Sequence, residues 1–326
     1  MTTTHVAIAG LGAIGRAIAR ALDEDVPGLA LSAVAARDRA KAQAWLDDHE
    51  IDCPIVSLDE MPEHADLAVE CAPAALIADI CVPMLEAGKQ VMVLSCGALL
   101  PRPELIDLAK AHGGRIMVPT GALLGLDAVA AAAQGTIHSV RMTSRKPPNG
   151  LSGAPYLLAN KISVEGLNEA KRVFSGTARE AAAGFPANVN VAAALSLAGI
   201  GPDRTVIDIW ADPAVTRNCH TIEVDADSAR FTLSIENVPS EENPKTGKIT
   251  ALSVLAALRK LHAPLAVGTD ARQRQGHGDI DVGGKAGDRL ACGAGKDAHR
   301  LAQLLKREPA RDDQGRAGEA GGRLAG

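Results

Sequence analysis

The chain has 326 residues, a net charge of -5 at neutral pH, 47% hydrophobic residues and 2% aromatic residues. The acidic balance argues against a nucleic-acid partner, which would favour a basic surface. No apolar run is long enough to cross a membrane, so we expect no membrane partner. The length is that of about two domains, whose cores must be built from Ala, Val, Leu and Ile.

The cysteines and the N-terminal sequence indicate in which cellular compartment the protein is located. The 6 cysteines are scattered without CxxC spacing, which is typical of reduced thiols rather than of disulfides or a zinc site. The N-terminus lacks a basic region followed by an apolar stretch, so no signal peptide is expected. The sequence therefore predicts a cytoplasmic protein without a bound metal.

The first predicted strand ends in a glycine-rich turn. An apolar run over 5–9 is typical of a buried strand, and an amphipathic helix is predicted over 14–23. In a GxGxxG turn the first glycine permits a tight bend, the second lets a pyrophosphate approach, and the third allows close helix packing. The helix N-terminus offers N–H groups to phosphates. A plain glycine turn is the alternative to a dinucleotide site. We assign cofactor contacts to Gly10, Gly12, Ala13, Ile14 and Gly15.

Strand and helix patterns alternate up to about Thr120. The predicted strands cover 29–35, 67–71, 91–94 and 115–118, and the predicted helices cover 38–50, 75–87 and 104–112. This alternation predicts an α/β fold with a Rossmann-type doubly wound parallel sheet. Ligands bind beyond the carboxyl ends of such strands. The turns at Gly10, Arg37, Cys71-Ala72 and Ser95 should therefore face one crevice, and Cys71 and Ala72 are further candidate cofactor contacts.

The pattern changes after Thr120. Strands are predicted at 136–143, 205–210, 219–224 and 230–235, with helices at 177–184 and 188–197. This is typical of an α+β substrate domain with an open mixed sheet. A last amphipathic helix at 249–261 is expected to pack back on the nucleotide domain. The predicted organisation is a dinucleotide-binding domain over 1–120, a substrate and dimerisation domain over 121–245, and a returning C-terminal helix over 246–269.

The composition changes again at about Thr269. The segment 270–326 is rich in Gly, Ala, Arg, Asp and Gln, and Phe231 is the last aromatic residue. Such a segment cannot bury enough apolar surface to offset the entropy of ordering it. We predict a disordered tail, with a short loose helix as the alternative.

The choice between NAD and NADP is expected to be made at the end of the second strand. An acid there would bind the ribose 2′-OH of NAD, but this strand ends in Ala-Ala-Arg-Asp at 35–38. Arg37, Arg39 and Lys41 are suited to a 2′-phosphate, whereas Asp38 is suited to capping the next helix. We predict that NADP is accepted and that NAD is also possible. The alternative is that Arg37 is merely solvated.

Three polar segments of the second half are candidates for chemistry. His220 lies at the entry to a strand, and imidazole can move protons at an amine, an imine or water. An ordinary surface or capping histidine is the alternative. Lys245 and Thr246, before the last helix, are candidates to bind a substrate carboxylate. Their alternative is that Thr246 caps the helix and the lysines are solvated, and the basic segment Arg145-Lys146 is equally ambiguous.

Several segments together resemble the L-aspartate dehydrogenase family, from near the N-terminus to Thr269. They are the glycine turn, Val69-Glu70-Cys71-Ala72, Ser95-Cys96-Gly97-Ala98-Leu99, the segment 120–127, Asn188-Val189-Asn190, Asp212-Pro213, Arg217-Asn218-Cys219-His220, Asn243-Pro244-Lys245-Thr246 and Ala263-Pro264-Leu265. The resemblance implies that His220 is the active-site residue and that Ala122 and Asn190 contact the nicotinamide cofactor. Asn218, Lys245 and Thr246 are then the candidate substrate contacts.

The resemblance also implies a reaction. With NAD or NADP as cofactor, L-aspartate would be oxidatively deaminated to oxaloacetate and ammonia through iminoaspartate, with a link to NAD biosynthesis. It further implies a homodimer. Two alternatives stand beside it: a related dehydrogenase or reductase acting on homoserine or dihydrodipicolinate, and a non-catalytic NAD(P)-binding protein, which would have no need of an acid/base at His220.

Overall fold

The computed structural model describes residues 3–186, 189–241 and 247–268. The described residues all belong to one compact unit, Met1–Arg272. The predicted tail over 270–326 lies outside the described residues. None of the described helices is long and apolar enough to span a membrane.

The first sheet has six strands, all paired in parallel, in the order β3-β2-β1-β4-β5-β6. This order, with helices between the strands, confirms the predicted Rossmann-type sheet. Its strands are β1 Thr4–Ala9, β2 Leu29–Ala35, β3 Ile55–Val56, β4 Leu67–Glu70, β5 Gln90–Val93 and β6 Arg115–Met117. Its helices are α1 Ala13–Asp25, α2 Arg39–Asp48, α3 Met61–His64, α4 Ile77–Glu86 and α5 Glu104–His112.

Burial explains why this half forms as predicted. The last four residues of β1 are fully buried, because a parallel sheet covered on both faces needs a continuous apolar run. Glycines end the helices: Gly88 follows α4 with a φ of +68°, and Gly113 caps α5 in the left-handed region. The short elements β3 and α3 were not predicted, because they contain too few residues to show a period.

The second sheet has five strands in the order β11-β10-β7-β9-β8. Only the β7–β9 pair is parallel, so the sheet is mixed, as predicted. Its strands are β7 Ile137–Lys146, β8 Lys171–Thr177, β9 Val206–Ala211, β10 Cys219–Ala226 and β11 Arg230–Glu236. The helices of this half are α6 Leu126–Ala132, α7 Pro155–Ala159, α8 Ala178–Gly184, α9 Asn190–Ala198 and α10 Lys248–Lys260.

Strand β8 was missed by the sequence analysis for a physical reason. Its two buried apolar residues, Val173 and Phe174, are consecutive rather than alternating. The register against β9 shifts between Arg172 and Phe174, so an irregularity disrupts the period of two. The short helices α6 and α7 were also missed.

The last helix connects the two halves of the molecule. Val254 and Leu258 of α10 are fully buried in one cluster with Val6 and Ile8 of β1 and Ile18 of α1. The last helix therefore packs against the first strand and the first helix of the parallel sheet. This packing brings the start of α10 close to the carboxyl ends of the parallel strands.

Candidate active site

A cavity of about 230 Å³ lies where the carboxyl ends of the parallel strands meet the mixed sheet. It combines turns from the first sheet with inward-facing side chains of the second. The predicted site residues that line it are Ile14, Cys71, Ala72, Ala122, Asn190, Asn218 and His220. Further lining residues include Glu70, Ser95, Lys146 and Asn237.

The glycine turn beside this cavity fits a dinucleotide. Gly10 has a φ of +104°, and a Cβ there would lie 2.6 Å from the carbonyl oxygen of Cys71. A Cβ at Gly12 would meet no described atom within 4 Å, so this part of the turn is open to an approaching group. Gly12 is the N-cap of α1 and has no side chain that could accept a hydrogen bond. The first N–H groups of the helix, from Ala13 to Gly15, are therefore available to a ligand. The turn therefore fits a diphosphate.

The end of β2 does not reach the cavity. Arg37 is exposed and is absent from the cavity wall. Asp38 caps α2, since its Oδ1 accepts a hydrogen bond from the backbone N–H of Lys41 at 3.0 Å. Arg39 donates to the backbone carbonyl of Ile55. Of the basic residues predicted to meet a 2′-phosphate, Arg39 is thus engaged elsewhere and Arg37 is accessible.

His220 is a buried histidine held by a neighbouring strand. It is 2% exposed, and on β10 it lies opposite Ser144 of β7. The Oγ of Ser144 lies 3.0 Å from Nδ1, which leaves Nε2 as the nitrogen for a ligand. The alternative of a surface histidine is therefore wrong.

The imidazole of His220 is neutral at physiological pH. Burial lowers its pKa to about 3, and the nearby positive charge of Lys146 acts in the same direction. The ordinary pKa near neutrality, assumed from the residue type, is thus strongly perturbed. A neutral imidazole can accept a proton at once without first losing one.

Lys146 belongs to the basic segment whose role the sequence leaves open, and the structure places it in a strand. It is the last residue of β7 and only 5% exposed. Burial lowers the pKa of its amine to about 8. The signal was present in the sequence: Val140, Met142, Ser144 and Lys146 alternate along one buried face, so extending the predicted strand would have placed the lysine inside.

Arg145 points to the opposite face of β7. Its Nη1 lies 2.9 Å from Oδ2 of Asp212, and its guanidinium stacks 4.9 Å from the ring centroid of Trp210. The two neighbouring basic residues therefore have different environments. Of these two residues, only Lys146 lines the cavity.

Glu70 is a site residue that sequence reasoning missed as such. It ends β4 fully buried, and its Oε2 accepts hydrogen bonds from the backbone N–H groups of Leu94 at 3.0 Å and Ser95 at 2.7 Å. Its Oε1 accepts from the Ser95 hydroxyl at 3.1 Å. Burial raises the pKa of this carboxyl. The signal in the sequence was an acidic residue at the end of an apolar strand. The hydrogen bonds of its carboxylate fix the turn after β5 against β4.

Asparagines close the wall between the two sheets. Asn190, at the start of α9, accepts a hydrogen bond from the N–H of Gly97 through Oδ1 at 3.2 Å. Asn237 donates from Nδ2 to the carbonyl of Ala122 at 3.0 Å, and its backbone N–H donates to the carbonyl of Asn218 at 2.8 Å. The buried Oδ1 of Asn237 has no hydrogen-bond partner among the described residues, so it is suited to accept from a ligand N–H.

Two predicted substrate contacts, Lys245 and Thr246, lie outside the described residues. The N-cap of α10 is Gly247, so the alternative in which Thr246 caps this helix is wrong. Five cysteines within the described ranges are unpaired thiols. No group of three His, Cys, Asp or Glu side chains placed to hold a metal ion occurs in the described part of the chain.

Comparisons with known proteins agree with this arrangement. The family model described as "Aspartate dehydrogenase, C-terminal" matches residues 127–261, and the model described as "Homoserine dehydrogenase, NAD binding domain" matches residues 10–119. The L-aspartate dehydrogenase of Bradyrhizobium diazoefficiens is 61% identical over 265 residues, which is 81% of this chain and 94% of that protein. L-aspartate dehydrogenase 3 of Bordetella bronchiseptica is 57% identical, over 81% of this chain and 97% of that protein.

A solved structure gives the same result. The crystal structure of aspartate dehydrogenase from Thermotoga maritima matches with a TM-score of 0.63 and 26% identity, over 81% of this chain and 99% of that one. Sequence, family models and fold therefore agree, and the chain belongs to the aspartate dehydrogenase family.

Proposed function

We propose that this oxidoreductase catalyses the NAD(P)-dependent oxidative deamination of L-aspartate to oxaloacetate and ammonia through iminoaspartate. The observation that carries the proposal is a neutral, oriented imidazole, that of His220, in a cavity beside a dinucleotide-binding turn. The names of the relatives, at 61% and 57% identity, support L-aspartate as the substrate.

Different residues have different roles in the proposed reaction. When bound, the nicotinamide supplies an acceptor for the hydride of the substrate C2. Ser144 orients His220 through Nδ1, so that Nε2 takes a proton from the water that attacks the imine. The same imidazole then returns a proton to the departing ammonia. Orientation of the reactants in the cavity contributes up to roughly 7–11 kcal/mol.

The substrate needs polar contacts for two carboxylates and an amine. We assign these to Asn218, Lys245 and Thr246, and add Asn237, whose buried Oδ1 accepts from the amine. Ala122 and Asn190 are assigned to the nicotinamide end of the cofactor. Their place in the cavity wall supports this assignment.

The cofactor preference, the oligomeric state and the cellular location are parts of the same proposal. The exposed Arg37 supports acceptance of NADP, with NAD as a second cofactor. A homodimer would cover an exposed face or edge of the open second sheet, and C2 dimers are the commonest oligomers. Unpaired thiols in the described ranges support the cytoplasm as the location. Release of the intermediate iminoaspartate before its hydrolysis would provide the link to NAD biosynthesis.

Initial rates of nucleotide reduction test the proposal. Purified protein is assayed with L-aspartate, L-homoserine and L-lactate, each with NAD and NADP in parallel. We expect L-aspartate to give the highest kcat/KM, with release of one ammonia per nucleotide reduced. Turnover confined to homoserine would favour the second candidate, which the match of residues 10–119 to the homoserine dehydrogenase model supports. No turnover with any substrate would favour a non-catalytic binding protein.

A further inference from the structure

A series of hydrogen bonds runs along the cavity wall from the parallel sheet to the start of α9. It begins at the carboxylate of Glu70, continues through the turn after β5, and ends at the side-chain amide of Asn190. The residues of this series that line the cavity are Glu70, Ser95, Cys96 and Asn190. The series therefore joins the half of the molecule that carries the glycine turn to the half that carries His220.

Glu70 holds the turn after β5 from a fully buried position. Its carboxylate accepts from the N–H groups of Leu94 and Ser95 at 3.0 and 2.7 Å and from the Ser95 hydroxyl at 3.1 Å. The other residues of β4 are apolar, and burial of a carboxylate is costly, so the packing of the sheet does not explain this residue. Without the carboxylate, these three donors would lose their acceptor at the end of β4. The position of Ser95 relative to β4 therefore depends on Glu70.

The same turn holds Asn190, the first residue of α9. The N–H of Gly97 donates to Oδ1 of Asn190 at 3.2 Å, and the thiol of Cys96 donates to the backbone carbonyl of Asn190. A Cβ at Gly97 would lie 3.1 Å from the same Oδ1, so the turn and the amide are in close contact. The N-cap of α9 is Val189, which has no side-chain oxygen to hold the helix start. Because Oδ1 accepts from Gly97, Nδ2 is the end of the amide that remains for a ligand.

We propose that Glu70 is a positioning residue for the nicotinamide end of the cofactor, because it sets, through the turn after β5, where the Asn190 amide lies in the cavity. The inference rests on the proposed function, in which Asn190 contacts the nicotinamide. The three hydrogen bonds of the carboxylate described above go to the turn after β5 and none of them to the Gly10 turn. Loss of Glu70 should therefore weaken binding of the nicotinamide and spare the rest of the dinucleotide.

Isothermal titration with NADH and with ADP-ribose, which lacks the nicotinamide, separates the two ends of the cofactor. In the wild type NADH should bind more tightly, because only NADH reaches Asn190. Glu70→Met removes the acceptor and keeps a side chain of similar length. It should raise the Kd for NADH about tenfold and leave the Kd for ADP-ribose within about threefold of the wild-type value. Glu70→Gln should recover most of the NADH affinity, because an amide oxygen can accept from both N–H groups of the turn.

The matched control is Glu60→Met. Oε2 of Glu60 also accepts from the backbone N–H and the hydroxyl of one serine, Ser57, at 2.8 and 2.7 Å. These contacts are exposed, and Glu60 is not one of the residues that line the cavity. Both Kd values should match those of the wild type, which would show that losing such a contact elsewhere in the parallel half has no effect on the cofactor.

A double-mutant cycle tests whether Glu70 acts through Asn190. Asn190→Ala should by itself raise the Kd for NADH about tenfold. If the carboxylate positions this amide, adding Glu70→Met to Asn190→Ala should change the Kd by no more than about twofold. A role of Glu70 that is merely structural would instead multiply the two losses.

Gly97→Ala tests the same link in a protein that keeps Glu70. The new methyl group would press on Oδ1 of Asn190, so the Kd for NADH should rise about threefold while that for ADP-ribose stays constant. This variant keeps the inference testable if Glu70→Met does not fold. An unchanged NADH affinity in Gly97→Ala would overturn the link between the turn and the amide.

The outcomes separate this inference from the proposed function. A wild type that reduces no nucleotide with L-aspartate and binds neither NADH nor ADP-ribose would overturn both. An active wild type would overturn the role of Glu70 alone in any of three cases: equal affinities for NADH and ADP-ribose, an equal loss of both in Glu70→Met, or a full further loss when Glu70→Met is added to Asn190→Ala.

Discussion

The two halves of the cavity are built by different means. The parallel sheet contributes mainly backbone: a glycine turn, a helix N-terminus and a turn after β5 fixed by Glu70. The mixed sheet contributes the side chains of Lys146 and His220, and Ser144 contacts His220 from behind. Under the proposed function, cofactor binding depends on local backbone conformation, whereas acid–base chemistry depends on the register between distant strands. Substitutions in the two halves should fail in different ways.

The largest effect is expected at His220. His220→Ala should lower kcat for L-aspartate oxidation by about 10²–10⁴-fold and leave dinucleotide binding nearly unchanged, because the acid/base lies outside the glycine turn. Steady-state kinetics and dinucleotide titration measure both quantities. The control is His138→Ala, an exposed histidine of β7, which should retain full activity. Equal kcat values in the two variants would contradict the assignment.

The buried imidazole should also make the fold sensitive to acid. Its pKa is lowered to about 3 in the folded state, so below about pH 6.5 the unfolded chain binds a proton that the folded chain does not. Stability is lost as the pH falls from 6.5 towards 3, by on the order of 3–5 kcal/mol at most. Urea unfolding at several pH values, compared with His220→Gln, isolates this contribution. A variant with the same acid dependence as the wild type would show that the imidazole is not buried neutral.

A substitution in the glycine turn should impair the parallel-sheet half of the cavity, which is expected to bind the dinucleotide. Gly10→Ala forces a side chain into a positive-φ position 2.6 Å from the Cys71 carbonyl oxygen, so we expect about 2–3 kcal/mol lower dinucleotide affinity or stability. Isothermal titration and thermal unfolding measure the two. Gly113→Ala, also at positive φ but with no described atom within 4 Å, should cost only about 1 kcal/mol of stability. Its dinucleotide affinity should be unchanged, and a loss there would argue against a local effect.

Removing the contact between Ser144 and His220 should lower kcat less than removing the imidazole itself. Ser144→Ala removes the contact at Nδ1 and should reduce kcat about tenfold, since one neutral hydrogen bond contributes about 1 kcal/mol. The matched control is Ser139→Ala, on the same strand but exposed. If both serine variants kept the wild-type kcat, the orientation of the ring would not depend on this contact.

A similarly small effect, confined to one cofactor, is expected at Arg37. Arg37→Ala should lower kcat/KM for NADP about tenfold and leave that for NAD unchanged, because an exposed arginine contributes only to a 2′-phosphate. Arg39→Ala serves as the comparison, because Arg39 donates to the Ile55 carbonyl. Loss of activity with both cofactors would indicate a structural role at this position.

The same comparison explains what sequence reasoning could predict. The parallel half was predicted nearly element by element, because a buried strand, a glycine turn and a capped helix are each specified by residues that are neighbours in the sequence. The mixed half depends on pairing over long separations. The contact of His220 with Ser144 joins residues 76 positions apart, and no local pattern specifies it.

Environment was the second limit of prediction. His220 was proposed from its chemistry and from the resemblance, but its residue type alone suggested titration near neutrality, and only burial reverses that expectation. Lys146 was ambiguous because its strand was predicted three residues too short. Glu70 was quoted as part of a motif, yet its three donors come from the turn of another strand.

A crystal structure of the ternary complex, with a nicotinamide dinucleotide and the unreactive dicarboxylate succinate in place of L-aspartate, tests the central claim most directly. The account predicts that the dinucleotide follows the Gly10 turn and that the dicarboxylate occupies the cavity within hydrogen-bond distance of His220 Nε2. A dicarboxylate bound elsewhere, or an imidazole turned away from the nicotinamide, would contradict it.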